Sequence, residues 1–450
     1  MIFNLKSLLL VVSVCWIAPA FLKAQEQVDS YTLKEAQAYA LEHNYGAQNA
    51  KKDVLAAKRK VWETTAIGLP QVSAEGTFQK FIDIPVSLAP ARSFNPNAPE
   101  GALTELQFGL EYNNSLALTA SQLIFDGSYI VGLQAAKTYK ELSIGNEIKT
   151  KIELNEAVAQ AYYTVLIAEE NTNTLTSSLD AVKSMLLQTE AMYKEGLVEE
   201  QNVDQLKLSV NELKTSVGIA KGQIDFAKKL LQLQMGMDID TPMVLSDNID
   251  TFIGEITTLP EVKEFKVENH IDYSLITTNT RLMQLNHKKE KFSFLPSVNL
   301  FFNHQQQNMN NQFDAFSGGK YYPSTVVGAS IKMPILTSGS RLAKMSQAKI
   351  EWEKALNQQK EAEQGLIYKS QLANSNLETA NETYLNQKEN MELAKKIYDK
   401  TIKKYNEGMV SSMELSQAQN QYLTAEGKYI KSLLDLLTAK SELQKSYGGQ

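Results

Sequence analysis

The sequence predicts a mixed α+β fold built by internal duplication, in which each half supplies two barrel-type strands and one long helical hairpin. Three observations predict it. The chain matches itself at a shift of 212 residues, which lays "MYKEGLVEEQNVDQLK" at Met192–Lys207 on "KYNEGMVSSMELSQAQ" at Lys404–Gln419. Each half holds a proline-free run far longer than an ordinary globular helix. Ahead of each run, apolar and polar residues alternate over strand-length stretches.

The repeat fixes the domain plan. The shift of 212 carries Gly127-Ser128 to Gly339-Ser340, Gln205 to Gln417 and Gly236 to Gly448. Upstream the shift becomes 226, carrying "LPQV" at Leu69–Val72 to "LPSV" at Leu295–Val298, so the first copy holds 14 more residues between these marks. Two long units of this kind are a duplication, not a solenoid of short repeats. The expected units are 25–236 and 267–450, joined by a linker or equatorial segment at 237–266.

Composition narrows the class. The chain has 450 residues, 43% hydrophobic and 21% charged, with a formal net charge of -6. Its mean hydropathy of -0.28 is not that of a helical membrane protein. The acidic balance argues against nucleic acid, whose backbone asks for a basic footprint. The first 24 residues read as a secretory signal: Lys6, an apolar run over Leu8–Ile17, and Ala24 before the expected cut. Cys15, the one cysteine, lies inside that segment, so the mature chain carries neither disulfides nor thiolate ligands. No later stretch is apolar enough to span a bilayer as a helix. Membrane insertion, if any, falls to strands.

From Gly127 to Glu195 there is no proline, and Ile144, Ile148, Ile152, Val158, Val165, Leu175, Leu179, Val182 and Leu186 recur at helical spacing. At 1.5 Å per residue this run is a rod of roughly 100 Å. A second helical pattern returns to Gly236, and 339–447 repeats the plan. The apolar stripes are narrow, and "QLANSNLETANETYLNQKEN" is polar almost all round. Such lengths imply coiled-coil packing with water on more than one face.

The strands are expected at about 71–122 and 297–334. In "ELQFGLEYNNSLALTA", Leu106, Phe108, Leu110, Leu116 and Leu118 fall on one face, the candidate lipid-facing strand, and polar residues fall on the other. Alternation over ~10 residues fits a barrel with lipid outside and water inside. A soluble antiparallel sheet uses the same alternation; the signal segment and the missing second apolar layer favour the barrel. Two strands per copy give four per chain, too few to close a barrel alone. The chain should therefore oligomerise.

The order of elements resembles that of the TolC-like outer-membrane efflux proteins, the outer membrane factors. The likeness rests on "YTLKEAQAYALEHN", on "SLALTASQLIFDGS" and "VVGASIKMPILTSGS" before the helices, on both tip turns, and on the closing "LLQLQMG" and "LQKSYGG". Leu123 departs from the pattern, since the family usually carries a proline there, as at Pro334. The resemblance implies a membrane channel: a homotrimeric 12-stranded outer-membrane β-barrel, continuous with a long periplasmic α-helical coiled-coil tunnel. It implies passive export for a tripartite efflux or type I secretion system. The partners would be a periplasmic adaptor (membrane fusion protein), an inner-membrane RND or ABC transporter, and outer-membrane lipid.

On that reading the repeated turns are the periplasmic tips. Gly196 and Gly408 take the positive φ that ends a helix, and Leu197, Val198, Met409 and Val410 are candidates for adaptor docking. Helix termination alone also explains both glycines. Tyr193, Glu195, Glu199, Asp399, Tyr405 and Glu407 are candidates for a gate or carboxylate ring, since three-fold symmetry turns any inward side chain into a ring.

No catalytic constellation emerges. His43, His270, His287 and His304 are scattered, and Asp238-Ile239-Asp240 reads as a turn, lacking the further ligands of a Ca²⁺ loop. No cofactor or metal is expected, and the chain is read as a non-enzyme. The rival reading is a periplasmic coiled-coil adaptor or scaffold without a pore, which explains the hairpins but not the strand pairs.

Overall fold

The computed structural model describes residues 29–249, 251–252, 265–316 and 318–448. The expected signal segment, 1–24, lies outside the described residues, as do residues 250 and 253–264 of the expected linker. The first half runs β1 (Asp29–Tyr31), α1 (Leu33–His43), α2 (Tyr45–Ala66), β2 (Gln71–Lys80), β3 (Val86–Pro90), β4 (Leu103–Gln107), β5 (Tyr112–Phe125), α3 (Gly127–Lys194) and α4 (Glu200–Met235). After β6 (Met243–Leu245) the second half runs α5 (Ile271–Phe292), β7 (Ser297–Asn310), β8 (Tyr322–Lys332), α6 (Ser340–Asn406) and α7 (Ser412–Ser446).

Four strands form one antiparallel sheet in the order β2-β5-β7-β8. Each joins a helix at the same end of the sheet: α2 leads into β2, β5 into α3, α5 into β7, and β8 into α6. The helices therefore inherit the strand order, with α2 on α3, α3 on α5 and α5 on α6. Farther from the sheet, α4 returns along α3 and α7 along α6, and the two hairpins meet where α3 touches α7. Beside the sheet, α2 and α6 are the outer helices; in the hairpins, α4 and α6 are.

The cores are seams rather than a globule. One runs through the middle of the molecule, where Tyr162, Val158 and Val165 of α3 meet Leu231 and Met235 of α4 and Leu433, Leu436 and Leu437 of α7. A smaller one, of Val182, Met185, Leu206, Leu213, Tyr398 and Leu415, lies toward the tips. Each helix uses one apolar stripe for this: Leu366, Ala373, Leu377 and Tyr384 are the buried apolar residues of the middle of α6.

The segment expected as one strand from Glu105 to Thr119 is two. Leu106 belongs to β4, which among the described residues pairs only with β3 in a separate two-stranded ribbon, and Phe108 and Leu110 lie between strands. These three are corrected: they are not residues of the barrel-type sheet. Gly109, at φ 135, interrupts the run, a conformation that side-chain-bearing residues avoid. The alternation keeps its phase across the break, which is why it read as continuous. Leu116 and Leu118 remain on β5.

The ends of β5 and β8 differ for a reason visible in the sequence. Where the second half has Pro334, β8 has already stopped at Lys332. Leu123 keeps its N–H, and β5 continues to Phe125 through a register shift between Leu123 and Phe125.

Two joints recur where the hairpins return. Asn44 caps α2, its Oδ1 accepting from the N–H of Gly46 at 2.7 Å and of Ala47 at 3.2 Å. Its Nδ2 donates to the Gln234 carbonyl at 2.9 Å. Gly236 sits so close that an added Cβ would lie 2.6 Å from the His43 carbonyl oxygen. His270 caps α5 in the same way, its Nδ1 accepting from the Asp272 N–H at 3.1 Å, and Gly448 lies against Asn269 and His270. The shift of 226 carries Asn44 to His270, and that of 212 carries Gly236 to Gly448.

Candidate functional site

Register assigns every strand residue to a face. One face carries the cross-strand rows Val72–Ala120–Phe302–Val327 and Ala74–Leu118–His304–Thr325, with Leu116, Leu300, Ala329 and Ile331 beside them. The other carries Gln71–Ser121–Phe301–Gly328, Ser73–Thr119–Asn303–Val326, Glu75–Ala117–Gln305–Ser324 and Thr77–Ser115–Gln307–Tyr322. The first face is apolar over most of its area and the second is mostly amide and hydroxyl. On the apolar face Leu116 and Leu118 are 47% and 44% exposed, so no element among the described residues covers them.

Polar side chains on both faces bond across the strands. On the polar face Asn303 Nδ2 donates to Thr119 Oγ1 at 2.9 Å, and Gln307 Nε2 to Asn113 Oδ1 at 2.9 Å. On the apolar face His304 Nδ1 lies 2.8 Å from Thr325 Oγ1. At the end of the sheet away from the helices, Phe313 and Phe316 fold against Tyr112 and Phe78. No described helix is long and apolar enough to cross a membrane.

The tip turns are identical in construction. Leu197 N–H donates to the Met192 carbonyl and Gly196 N–H to that of Tyr193, each at 2.9 Å. Met409 and Gly408 repeat this on Lys404 and Tyr405. This pair of bonds closes a helix with a left-handed residue, supplied here by Gly196 at φ 72 and Gly408 at φ 74. Leu197 and Met409 project into solvent, 71% and 68% exposed, whereas Val198 and Val410 are half-buried.

The other candidates do not form one cluster. Glu195, Glu199, Asp399 and Glu407 are all exposed. The two tyrosines diverge: Tyr193 is exposed, while Tyr405 is half-buried, its hydroxyl 2.7 Å from Thr189 Oγ1. Asp399 adjoins Tyr398, whose phenol is pushed up to about 12 by burial and, secondarily, by that carboxylate. Among the described residues no group of three or more His, Asp or Glu could hold a metal ion. Asp238 closes an ordinary turn through its carbonyl to the Thr241 N–H.

A polar seam between the hairpins escaped the sequence reading. Ser209 and Ser416, both buried, meet at 2.7 Å between their Oγ atoms, and Ser412 Oγ donates to Asn202 Oδ1 at 2.7 Å. Higher up, Thr174 Oγ1 lies 3.5 Å from Glu426 Oε1, and beside it Tyr422 stacks on Tyr398 within the second hairpin. Burial holds the Glu426 carboxyl above its ordinary range, with Glu170 adding to the shift. Single Ser and Thr residues on helices carry no periodic signal, since their usual role is to bond their own i−4 carbonyl.

Comparison with known proteins agrees with this geometry. Residues 284–449 match the family model described as outer membrane efflux protein. Among solved structures, the CusC channel aligns over 94% of this chain and 93% of its own at 17% identity, TM-score 0.74. The Campylobacter jejuni CmeC outer membrane channel aligns over 95% and 90% at 16% identity, TM-score 0.73. The Neisseria gonorrhoeae MtrE outer membrane channel aligns over 92% and 88% at 17% identity, TM-score 0.70. No curated protein matches the chain in sequence. The resemblance drawn from the sequence is borne out: residues 284–449 match the outer membrane efflux protein family model, and the chain has the mixed helix-and-sheet fold of the solved outer-membrane efflux channels.

Proposed function

We propose that three copies of this chain form a channel-tunnel that spans the outer membrane and extends into the periplasm. A 12-stranded barrel, four strands from each protomer, continues as an α-helical tunnel of about 100 Å, the length of a 68-residue helix such as α3. The tunnel passively conducts substrates delivered by an inner-membrane RND or ABC pump and a periplasmic adaptor. The recurrence of joints and tip turns at the same shifts supports the duplication that makes each protomer two-fold repeated.

One observation carries this reading: the chain leaves the same two sides open at every level. In the sheet, β2 and β8 are edges unpaired among the described residues, a state that natural proteins cover or close. In the hairpins, α4 and α6 are the outer helices, and each bears a second, unpartnered apolar stripe. On α4 it is Leu208, Ile219, Phe226, Leu230 and Leu233; on α6 it is Ile350, Tyr368, Leu372, Leu393 and Ile397. These residues recur at near-whole numbers of helical turns, away from the buried stripe. Two unlike open sides, one matching the next, make a head-to-tail contact that closes a ring. In the ring the apolar sheet face meets lipid and the polar face meets water. The exposed tips, with Leu197 and Met409, are the docking sites for the adaptor.

A poreless scaffold would have no use for an apolar sheet face. Detergent extraction of purified outer membranes, followed by light scattering and negative-stain imaging, tests the proposal. A three-fold particle carrying a rod of about 100 Å or more is expected. A water-soluble monomer or dimer absent from that membrane would return the scaffold reading.

A further inference from the structure

The polar sheet face is almost free of charge. Between the helix end and the loop end, its rows hold Gln, Asn, Ser and Thr, with Phe301 packed over Gly328 and Val326 nearby. Glu75 is the exception. It lies on β2 in the row Glu75–Ala117–Gln305–Ser324, flanked along its own strand on the same face by Ser73 and Thr77. The side chain is exposed, and no ion pair to it occurs among the described residues. The other charged residue on this face, Lys332, ends β8 eight residues from Ser324. That separation is about 27 Å along the strand. Lys80 and His304 belong to the opposite face.

Amides and hydroxyls offer donors and acceptors to ions of either sign, so a lining made of them does not discriminate by charge. A fixed carboxylate in a narrow, low-dielectric passage does, because the walls focus its field. Resting on the channel reading, we infer that Glu75 is the charge-selecting residue of the barrel. Three-fold repetition makes it a ring of three carboxylates that favours cationic over anionic solutes. The neighbouring Ala117 leaves the ring unobstructed on one side. Three charges about 10 Å from a pore axis, screened with a Debye length of about 10 Å at 0.1 M salt, alter the cation-to-anion permeability ratio by roughly fourfold.

The test is the reversal potential of the purified full-length protein in planar lipid bilayers under a KCl gradient. The wild type should prefer K⁺. Glu75→Gln should lower the K⁺-to-Cl⁻ permeability ratio by roughly fourfold at 0.1 M salt, and Glu75→Lys should shift the reversal potential further toward the anion side. Glu111→Gln, at the loop end outside the polar rows, should leave it unchanged. A wild type and Glu75→Gln with the same reversal potential would overturn the role of Glu75 while keeping the channel. A correctly inserted wild type that never conducts would overturn the channel reading itself.

Discussion

Residues at equivalent places can have the same job and different chemistry, and His270 is the clearest instance. Asn44 and His270 both cap a helix against a closing glycine, but only His270 titrates. Burial holds its pKa below the ordinary histidine value, with Lys149 and Lys369 adding to the shift and Asp272 and a hydrogen bond to the Lys445 backbone opposing it. Its Nδ1 must stay unprotonated to accept the Asp272 N–H. The sign follows: the folded state resists a proton that the unfolded chain takes up near pH 6.5. The cap's contribution is complete above that value and is lost as pH falls below it toward the lowered folded pKa. His270→Asn, which copies the first joint, should reduce the difference between thermal midpoints at pH 7.5 and pH 5, read by circular dichroism. An unchanged difference would mean that His270 does not set it. The glycines allow a parallel comparison. Gly196→Ala meets no neighbour and should cost only the left-handed penalty of about 1–2 kcal/mol. Gly236→Ala carries that penalty plus an overlap with the backbone of His43 and Asn44, so its thermal midpoint should fall well below that of Gly196→Ala.

At the scale of elements, the helices were legible and the strands only partly so. A proline-free run with one apolar stripe admits little besides a helix, so α3, α4, α6 and α7 end within a residue or two of where the sequence puts them. Both positive-φ tip glycines were legible for a related reason: the periodicity stops there, and glycine takes a positive φ without strain. The alternation around Leu106–Leu118 has a period of two on both sides of Gly109, and period alone cannot say that the strand changes partner. The glycine was the available signal. The joint at His270 was invisible because Asn and His share no composition, only an acceptor at the cap position. Sheet faces can be tested one residue apart. Leu118→Lys places a charge on the apolar face and should cost about 2–4 kcal/mol near the bilayer midplane. Thr119→Lys points to the polar face and should be tolerated. The fraction of each variant recovered as folded protein from outer membranes measures this; equal recovery would refute the assignment of faces.

For the whole molecule, the two open sides make a demand that local structure does not meet. Leu208 is 12 residues from Gly196, and Ile397 is 11 residues from Gly408, so the two lie at nearly the same height on opposite edges. The same holds for Leu233 and Leu372, 37 and 36 residues from those glycines. All four are exposed in the single chain. Burying a large apolar side chain contributes about 1.5–3 kcal/mol, so in the proposed trimer a seam of several such residues per interface would oppose the loss of the protomers' independent motion. Leu208→Glu or Ile397→Lys alone places an unpaired charge in that seam and should convert trimers to smaller species in size-exclusion chromatography with light scattering. The double variant restores a partner to each charge, since the Glu of one protomer faces the Lys of the next. It should recover trimer beyond what either single change retains. Recovery would establish that α4 of one chain packs on α6 of its neighbour. Trimers unaffected by both single changes would mean that the ring is held by the barrel strands alone and that the apolar stripes of the hairpins face something else.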